Sequence, residues 1–271
     1  MSDLPTAADL AYRAAGPEDG PTVVCVHGWP ESSYMWRAVL EALGAAGMRA
    51  YAPDLPGYGA SAVRRPATWT MHVEALEAFR TALGIERTAL CVHDWGGLIG
   101  LRWACDHPEA ITALTISDTG FFADGKWHDL ADVMRTPGQG EELMGNLNRE
   151  AFGAVLANAS KGMDAAALDE YFRAFATQDG QLAQLDLYRS GEFSELALYE
   201  DKLRALTVPT LLLWGEDDPF APVAGAHRFK EMLPHAELDV IPGAGHFVAD
   251  DAPGDFAARI TAFLARATMA G

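Results

Sequence analysis

The chain has 271 residues, 49% of them hydrophobic and 10% aromatic, which suffices for one large α/β domain with an inserted segment and excludes intrinsic disorder. Its 38 acidic and 20 basic side chains give a net charge of −18. A surface this acidic repels phosphate backbones and anionic membranes and mildly disfavours anionic substrates, so we expect no nucleic-acid or membrane partner. The polar N-terminal segment and the lack of any run of about 18 apolar residues predict a cytoplasmic protein.

The predicted strands are short apolar runs that alternate with amphipathic helical stretches, a pattern typical of βαβ units and a mostly parallel sheet. Leu10–Arg13 is a candidate antiparallel edge strand. The other strand candidates are, in chain order, Thr22–Val26, Arg49–Pro53, Thr88–Val92, Ile111–Ser117, Thr210–Trp214 and Glu237–Ile241. The helix candidates between and after them are Ser33–Ala46, Met71–Leu83, Trp95–Asp106, Pro222–Met232 and Ala252–Ala267. Cys25, Cys91 and Cys105 lie in these runs, which predicts buried, reduced thiols.

The alternation stops between about residues 119 and 206, where the pattern is helical throughout. The helix candidates there are Leu130–Arg135, Glu141–Leu147, Arg149–Ala159, Asp164–Ala176 and Gln181–Ser190. We therefore predict a core domain from residues 1–118 and 207–271 and a helical cap domain from residues 119–206. Ligands of open α/β sheets bind at the carboxyl ends of the strands, where such a cap would exclude water and shape a pocket.

The segment CVHDWGG, residues 91–97, joins a predicted strand to a predicted helix. A sharp turn at such a junction exposes one side chain at the top of the sheet, and Gly96 and Gly97 allow the turn to close. The exposed position holds Asp94, and the chain contains no G-x-S-x-G motif. A carboxylate is ionised near pH 7 and attacks an electrophilic carbon without the help of a base. Asp94 is thus the candidate nucleophile, and the alternative is that it only caps the helix.

The segment VHGWP, residues 26–30, follows an earlier predicted strand. In this arrangement a backbone N–H from that loop joins the N–H of the residue after the nucleophile in an oxyanion hole. We therefore predict that the donors are the backbone N–H groups of Trp29 and Trp95. His27 is interpreted as a structural hydrogen-bonding residue.

Two further polar residues follow the last predicted strands. Asp218 lies in the segment GEDD and His246 in the segment GAGHF. A lone Asp or His at a strand end is usually structural, but the chain order Asp94, Asp218, His246 is the order of nucleophile, acid and histidine in a catalytic triad of this kind. We predict that these three residues form a triad.

With HGWPESSYMWR, DLPGYGAS, HDWGG, GEDD and GAGHF together, the chain resembles the α/β-hydrolase superfamily over nearly its whole length. Within it, the chain is similar to the branch with an aspartate nucleophile: haloalkane dehalogenases, epoxide hydrolases and haloacetate dehalogenases. The resemblance implies a mostly parallel sheet flanked by helices, with an inserted helical cap. It also implies that Asp94 forms an alkyl ester, that His246 activates the hydrolytic water, and that Asp218 orients His246. Some dehalogenases take the acid from an earlier strand end, which is Asp118 here, but the G-x-x-D position favours Asp218.

Two features resemble the dehalogenases: Val92, where epoxide hydrolases usually have glycine, and the early cap segment GKWHDLADVMRTPGQGEELMGNLNREAF. A departing halide needs N–H donors in an apolar pocket. Trp95 is the first candidate donor and Trp29 or Trp127 the second, although simple packing is the alternative role for Trp127. We predict a haloalkane dehalogenase that uses a small apolar substrate and water, needs no cofactor or metal, and is a monomer or homodimer.

The main alternative is an epoxide hydrolase with the same triad. The segment DLYR, residues 186–189, resembles the one that carries a ring-opening tyrosine, which makes Tyr188 the candidate acid. Epoxide hydrolases also use a tyrosine early in the cap, and residues 119–170 contain none. Haloacetate dehalogenases place arginines beside the nucleophile, where this chain has Trp95 and Leu98. That activity and a non-catalytic binding role, which needs no intact triad, are less favoured.

Overall fold

A computed structural model describes residues 4–157 and 159–269 of the chain. Its described residues form one eight-stranded sheet in the order β1-β2-β4-β3-β5-β6-β7-β8. The strands are β1 Thr6–Ala7, β2 Leu10–Ala15, β3 Thr22–Val26, β4 Arg49–Pro53, β5 Thr88–His93, β6 Ile111–Ser117, β7 Thr210–Gly215 and β8 Glu237–Ile241. Strand β2 is antiparallel to both of its neighbours, and β3 to β8 pair in parallel. The predicted mostly parallel sheet is confirmed.

The central strands are continuous apolar runs because helices cover both faces of the sheet. Every residue of β5 and of β7 is buried. Strand β8 forms one edge of the sheet and alternates in sequence, and most of its side chains are partly exposed. Burial on two faces favours the β-branched and leucine side chains found in the central strands.

The α-helices of the described residues are, in chain order, α1 Arg37–Ala45, α2 Trp69–Ala82, α3 Trp95–Asp106, α4 Asp129–Arg135, α5 Gln139–Gly145, α6 Arg149–Leu156, α7 Ala165–Phe172, α8 Gln178–Arg189, α9 Glu200–Arg204, α10 Val223–Met232, α11 Val248–Asp251 and α12 Pro253–Met269. Several of these helices begin at a residue whose side chain accepts a hydrogen bond from a backbone N–H group of the first turn. Thr68 caps α2 in this way, Asn148 caps α6 and Asp164 caps α7.

The predicted elements agree closely with the observed ones, apart from shifts of a few residues at several element ends and the following differences. The strand predicted at Leu10–Arg13 is antiparallel as expected, but the prediction that it forms the edge is wrong because Thr6–Ala7 pairs outside it. The short helices α9 and α11 were not predicted. The helix predicted as Arg149–Ala159 ends at Leu156, and its position 158 lies outside the described residues.

Residues between β6 and β7 form helices α4 to α9, and no strand occurs in the described part of this segment. The division into a core domain, residues 1–118 and 207–271, and a cap domain, residues 119–206, stays a prediction. Cys25, Cys91 and Cys105 are buried and free, as predicted. Within the described ranges, no helix combines the length and apolar character needed to cross a bilayer.

Candidate active site

Asp94 lies at the junction between β5 and α3, at the carboxyl edge of the sheet. Its backbone φ is +48°, a left-handed conformation that non-glycine residues rarely adopt. The absence of side chains at two glycines allows this turn: a Cβ on Gly96 would collide with the carbonyl oxygens of Val26 and His27, and one on Gly97 would collide with Thr119. The Thr119 hydroxyl donates a 2.6 Å hydrogen bond to the Asp94 carbonyl oxygen. The turn thus presents the Asp94 side chain away from the sheet.

The Asp94 carboxylate faces the loop after β3. Its Oδ1 accepts a 2.7 Å hydrogen bond from the backbone N–H of Trp29, and its Oδ2 lies 3.5 Å from Nε2 of His246. The side chain makes no capping hydrogen bond to α3, which removes the helix-cap alternative. Burial acts to raise the pKa of Asp94, but the hydrogen bond and charge of His246 and the Trp29 N–H outweigh it and hold this pKa below its usual value. The lowered pKa favours the ionised carboxylate. Its side chain is also partly exposed to the space above it.

His246 bridges two carboxylates. Its Nδ1 lies 2.8 Å from Oδ2 of Asp218, while Nε2 faces Asp94. Burial acts to lower the pKa of His246, but the charges and hydrogen bonds of Asp218 and Asp94 raise it well above its ordinary value. For Asp218, the charge and hydrogen bond of His246 and two backbone N–H groups overcome burial and lower the pKa to about 2. The three residues predicted as a triad are therefore brought together by the fold.

The alternative acid, Asp118, is fully buried at the end of β6 and engages other groups. Its Oδ1 accepts a 2.9 Å hydrogen bond from the backbone N–H of Gly215, and its Oδ2 accepts one from the Ser117 hydroxyl. The bond from Gly215 joins the end of β6 to the end of β7. Burial raises the pKa of Asp118 well above its usual value. Nδ1 of His246 is thus hydrogen-bonded to Asp218 and not to Asp118.

His27 supports the turn after β3. Its Nδ1 lies 2.8 Å from the carbonyl oxygen of Gly28, and its Nε2 accepts a 3.0 Å hydrogen bond from the backbone N–H of Leu55. Because both ring nitrogens are engaged and the side chain is fully buried, the arrangement agrees with the structural interpretation. Gly28 itself lies against the Asp94 side chain, with no room for a Cβ.

A cavity of about 390 Å³ opens above Asp94. Its wall is mainly apolar, and cap and core both contribute to it. The apolar residues beyond the tryptophans are Pro30, Leu98, Phe122, Leu130, Leu143, Met144, Leu147, Phe152, Val155, Leu156, Ala159, Phe193, Phe220, Ala221, Pro222, Ala224 and Phe247. The volume suits a small organic molecule, and such a wall favours an uncharged one.

Three tryptophans line this cavity beside Asp94. The indole N–H groups of Trp29 and Trp127 are buried, and neither has an acceptor among the described residues. The ring of Trp95 is 5.7 Å from that of Trp127 and nearly parallel to it. A buried N–H without an acceptor is costly, so such groups in a cavity wall indicate a ligand atom that accepts from them.

Tyr188, in α8, is the only tyrosine among the described residues that line the cavity. Its ring centroid lies 5.1 Å from that of Trp95 and 5.5 Å from that of Trp29. Burial and the charge of Asp94 raise its pKa well above the usual value, so the hydroxyl keeps its proton. All four cavity residues predicted to contact the leaving group therefore lie together at the site.

Arg135 supports two of these residues and was not anticipated from the sequence. Its guanidinium lies 4.7 Å from the ring centroid of Trp127 and donates hydrogen bonds to the carbonyl oxygens of Tyr188 and Gly191. No short motif marks such a residue, because its partners are a ring and two backbone atoms distant in sequence.

Behind His246 lies a second buried pair, His93 and Glu31, for which the sequence predicted no role. The His93 ring is 5.0 Å from the His246 ring, and its Nε2 is 3.3 Å from Oε2 of Glu31. Burial lowers the pKa of His93 to about 3 and raises that of Glu31 well above its usual value. Burial therefore favours the neutral form of both groups.

The chain matches the alpha/beta hydrolase fold family over residues 21–253. It is 31% identical to a haloalkane dehalogenase of Mycobacterium marinum, with 93% of this chain and 87% of that protein covered. It is 28% identical to epoxide hydrolase 3 of Xenopus tropicalis, with 93% and 74% covered. A crystal structure of the haloalkane dehalogenase DbeA from Bradyrhizobium elkani superposes with a TM-score of 0.87 at 26% identity, covering 97% of this chain and 96% of that one.

Proposed function

Because the chain belongs to the alpha/beta hydrolase fold family, in the branch with haloalkane dehalogenases and epoxide hydrolases, we propose that it cleaves the carbon–halogen bond of a small apolar haloalkane. The observation that carries this proposal is the pair of buried indole N–H groups, on Trp29 and Trp127, without acceptors in the wall beside Asp94. A halide ion leaving an apolar cavity needs N–H donors and no proton. Epoxide opening needs an O–H acid, of which the described cavity wall offers one on a tyrosine.

In the first step, Asp94 attacks the carbon that bears the halogen. The carboxylate oxygen forms a bond to that carbon while the carbon–halogen bond breaks, and the halogen leaves with the electron pair as halide. The indole N–H groups of Trp95, Trp29 and Trp127 donate hydrogen bonds to the departing halide as its negative charge grows. Because the site has low polarity, these hydrogen bonds stabilise the charge more than they would in water. The product of this step is an alkyl ester on Asp94.

In the second step, His246 removes a proton from water, and the resulting hydroxide attacks the carbonyl carbon of the ester. The backbone N–H groups of Trp29 and Trp95 stabilise the oxyanion that forms. Asp218 holds His246 and stabilises its imidazolium. Collapse of the intermediate returns the Asp94 carboxylate and releases the alcohol after proton transfer from His246. The cap helices form one wall of the cavity and limit the entry of bulk water.

Epoxide hydrolysis by the same triad is the second candidate. It is favoured by the position of Tyr188, whose ring contacts those of Trp29 and Trp95 above the nucleophile. In that reaction the tyrosine hydroxyl would protonate the ring oxygen as Asp94 opens the epoxide. The same Asp94 ester and the same hydrolytic step would follow.

Two substitutions separate the candidates when each variant is assayed for bromide release from 1-bromobutane and diol formation from styrene oxide. Trp95→Phe removes an N–H with little change in volume and should slow bromide release about 30- to 1,000-fold, since one donor to developing charge contributes about 2–4 kcal/mol. Tyr188→Phe should slow it about tenfold or less, since halide needs no proton. Tyr199→Phe, which removes a hydroxyl outside the cavity, is the control and should match the wild type.

The reverse pattern would contradict the proposal. A severe loss in Tyr188→Phe with an intact Trp95→Phe, together with diol formation and no bromide release by the wild type, identifies an epoxide hydrolase. Turnover of neither compound by a folded wild type would overturn both candidates.

A further inference from the structure

The carboxylate of Asp251, at the end of α11, is hydrogen-bonded to the cap segment 160–162. Its Oδ1 accepts three hydrogen bonds from this segment: one of 2.6 Å from the Ser160 hydroxyl, one of 2.7 Å from the Lys161 N–H and one of 2.9 Å from the Gly162 N–H. Gly162 packs so closely against α11 that a Cβ there would collide with its backbone. Three donors on a single oxygen fix the position of this segment on the core.

The other oxygen of the same carboxylate holds the loop that carries His246. Oδ2 of Asp251 accepts a 2.8 Å hydrogen bond from the backbone N–H of Gly245, which directly precedes His246. Gly245 is buried, and a Cβ there would lie 3.2 Å from both this oxygen and the carbonyl oxygen of Ala159. The hydrogen bond thus fixes the Ala244–Gly245 peptide, directly before the residue that carries the imidazole.

Neighbouring contacts reinforce the same junction. Asp250 accepts a 2.8 Å hydrogen bond from the hydroxyl of Tyr171 in α7 and pairs at 2.8 Å with Arg37 in α1. The exposed ammonium of Lys161 lies 3.3 Å from Asp217, the residue before Asp218. The part of the cap that includes residues 160–171 is therefore attached to the segments that carry His246 and Asp218.

We propose that Asp251 is a positioning residue that couples the binding of cap segment 160–162 against the core to the placement of the His246 imidazole. This inference rests on the proposed function, in which His246 acts only in ester hydrolysis. If the segment 160–162 moves away from α11, Oδ1 of Asp251 loses three hydrogen-bond donors. The carboxylate can then rotate towards water, which breaks its hydrogen bond to the Gly245 N–H. A catalytic base displaced by about 1 Å can lose about 100-fold in rate. Hydrolysis of the Asp94 ester then proceeds at full rate only when the segment is hydrogen-bonded to Asp251.

Asp251→Asn tests the coupling because an amide has one oxygen, so either Gly245 or the cap segment must face an N–H group. Quenched-flow measurement with 1-bromobutane separates alkylation from hydrolysis. We expect alkylation within about twofold of the wild type and hydrolysis slower by about 10- to 100-fold, so that the ester accumulates on Asp94. Ser160→Ala, which removes only one cap-side donor, should slow hydrolysis alone by about two- to fivefold.

Asp255→Asn, which removes an exposed charge on α12, is the matched control and should leave both steps unchanged. The inference is overturned if folded Asp251→Asn hydrolyses the ester at the wild-type rate, or if alkylation and hydrolysis slow equally, as general loss of packing would produce. It is also overturned if Ser160→Ala leaves hydrolysis unchanged, because the cap side would then not matter. These outcomes presuppose bromide release by the wild type, whose absence would refute the proposed function instead.

Titration of the His246 imidazole by NMR tests the positioning without any substrate. A displaced imidazole loses part of its hydrogen bond to Asp218, so the pKa of His246 should fall towards its ordinary value in Asp251→Asn. The same fall is expected in Asp251→Glu, which keeps the charge and moves the carboxylate by one methylene group. A wild-type titration in Asp251→Glu would overturn the inference whatever the substrate of the protein is.

Discussion

At the scale of single residues, Asp94 and His246 determine each other's charge. The pKa of Asp94 is held below its usual value and that of His246 is raised well above its own, so each group stabilises the charged form of the other. Formation of the ester removes the negative charge of Asp94. The pKa of His246 then falls, because Asp218 alone supports the imidazolium, and the neutral base needed for hydrolysis becomes available.

We therefore expect the Asp94 ester to accumulate at low pH. Alkylation needs only ionised Asp94 and continues as the pH falls, whereas hydrolysis needs neutral His246 and slows as this group takes up its proton. Acid quenching during turnover of 1-bromobutane between about pH 5 and about pH 9, followed by mass spectrometry, measures the esterified fraction. A fraction that is constant or that increases with pH would contradict the assigned roles.

At the scale of secondary-structure elements, the site depends on the close approach of α3 to the loop after β3. Gly96, in the first turn of α3, lies against the carbonyl oxygens of Val26 and His27. These atoms belong to backbone, so they cannot move aside as a side chain would. The distance between helix and loop sets the geometry in which the Trp29 N–H meets Asp94.

Gly96→Ala should therefore lower the free energy of unfolding by about 1–3 kcal/mol and reduce activity, because the added methyl group separates α3 from β3. Gly254→Ala in α12 is the matched control, since a Cβ there meets nothing within 4 Å. It should leave stability unchanged or raise it by up to about 1 kcal/mol, owing to the higher helix propensity of alanine. Urea denaturation of both variants gives the comparison, and equal stabilities would refute this account of the turn.

The central strands could be predicted from the sequence because a strand that is buried on both faces has a continuous run of apolar residues. Four of the seven predicted strands, those at Thr22, Arg49, Ile111 and Glu237, have the observed bounds. The two-residue strand Thr6–Ala7 was missed because a pair of residues carries no periodicity. Helices α9 and α11 span 5 and 4 residues, too few for the helical period to be recognised.

The candidate site was predictable where a residue type follows a strand within a motif, as Asp94, Asp218 and His246 do. What the sequence could not supply are contacts between segments distant along the chain. The lack of an acceptor for the Trp29 and Trp127 N–H groups depends on how the cap packs. The four hydrogen bonds to Asp251 come from backbone N–H groups and one serine, and no spacing rule predicts them.

At the scale of the whole molecule, the net charge of −18 and the apolar cavity act in the same direction. The long-range field repels anions in solution, and the cavity wall penalises the loss of hydration of a carboxylate. Two cationic side chains, Arg228 and Lys126, also line the cavity, and Arg228 is paired with Asp124. Both effects favour neutral substrates.

We therefore expect kcat/KM for 4-bromobutanoate to be at least about tenfold below that for 1-bromobutane. Added salt should narrow the difference, because it screens charges beyond about 8–10 Å, but should not abolish it, because the desolvation cost inside the cavity remains. Bromide release measured at low and high ionic strength tests this. Faster turnover of the anion would show that the cavity holds a cationic contact for a carboxylate.

In the proposed mechanism, Asp94 carries the substrate as an ester after halide has left. Intact-protein mass spectrometry of the His246→Gln variant after addition of 1-bromobutane detects this ester. We expect one equivalent of bromide and a protein that has gained one butyl group in place of a proton, mapped to Asp94 and absent when Asp94→Asn is added. Repeated turnover by His246→Gln with an unmodified mass, or a butyl group on another residue, would contradict it.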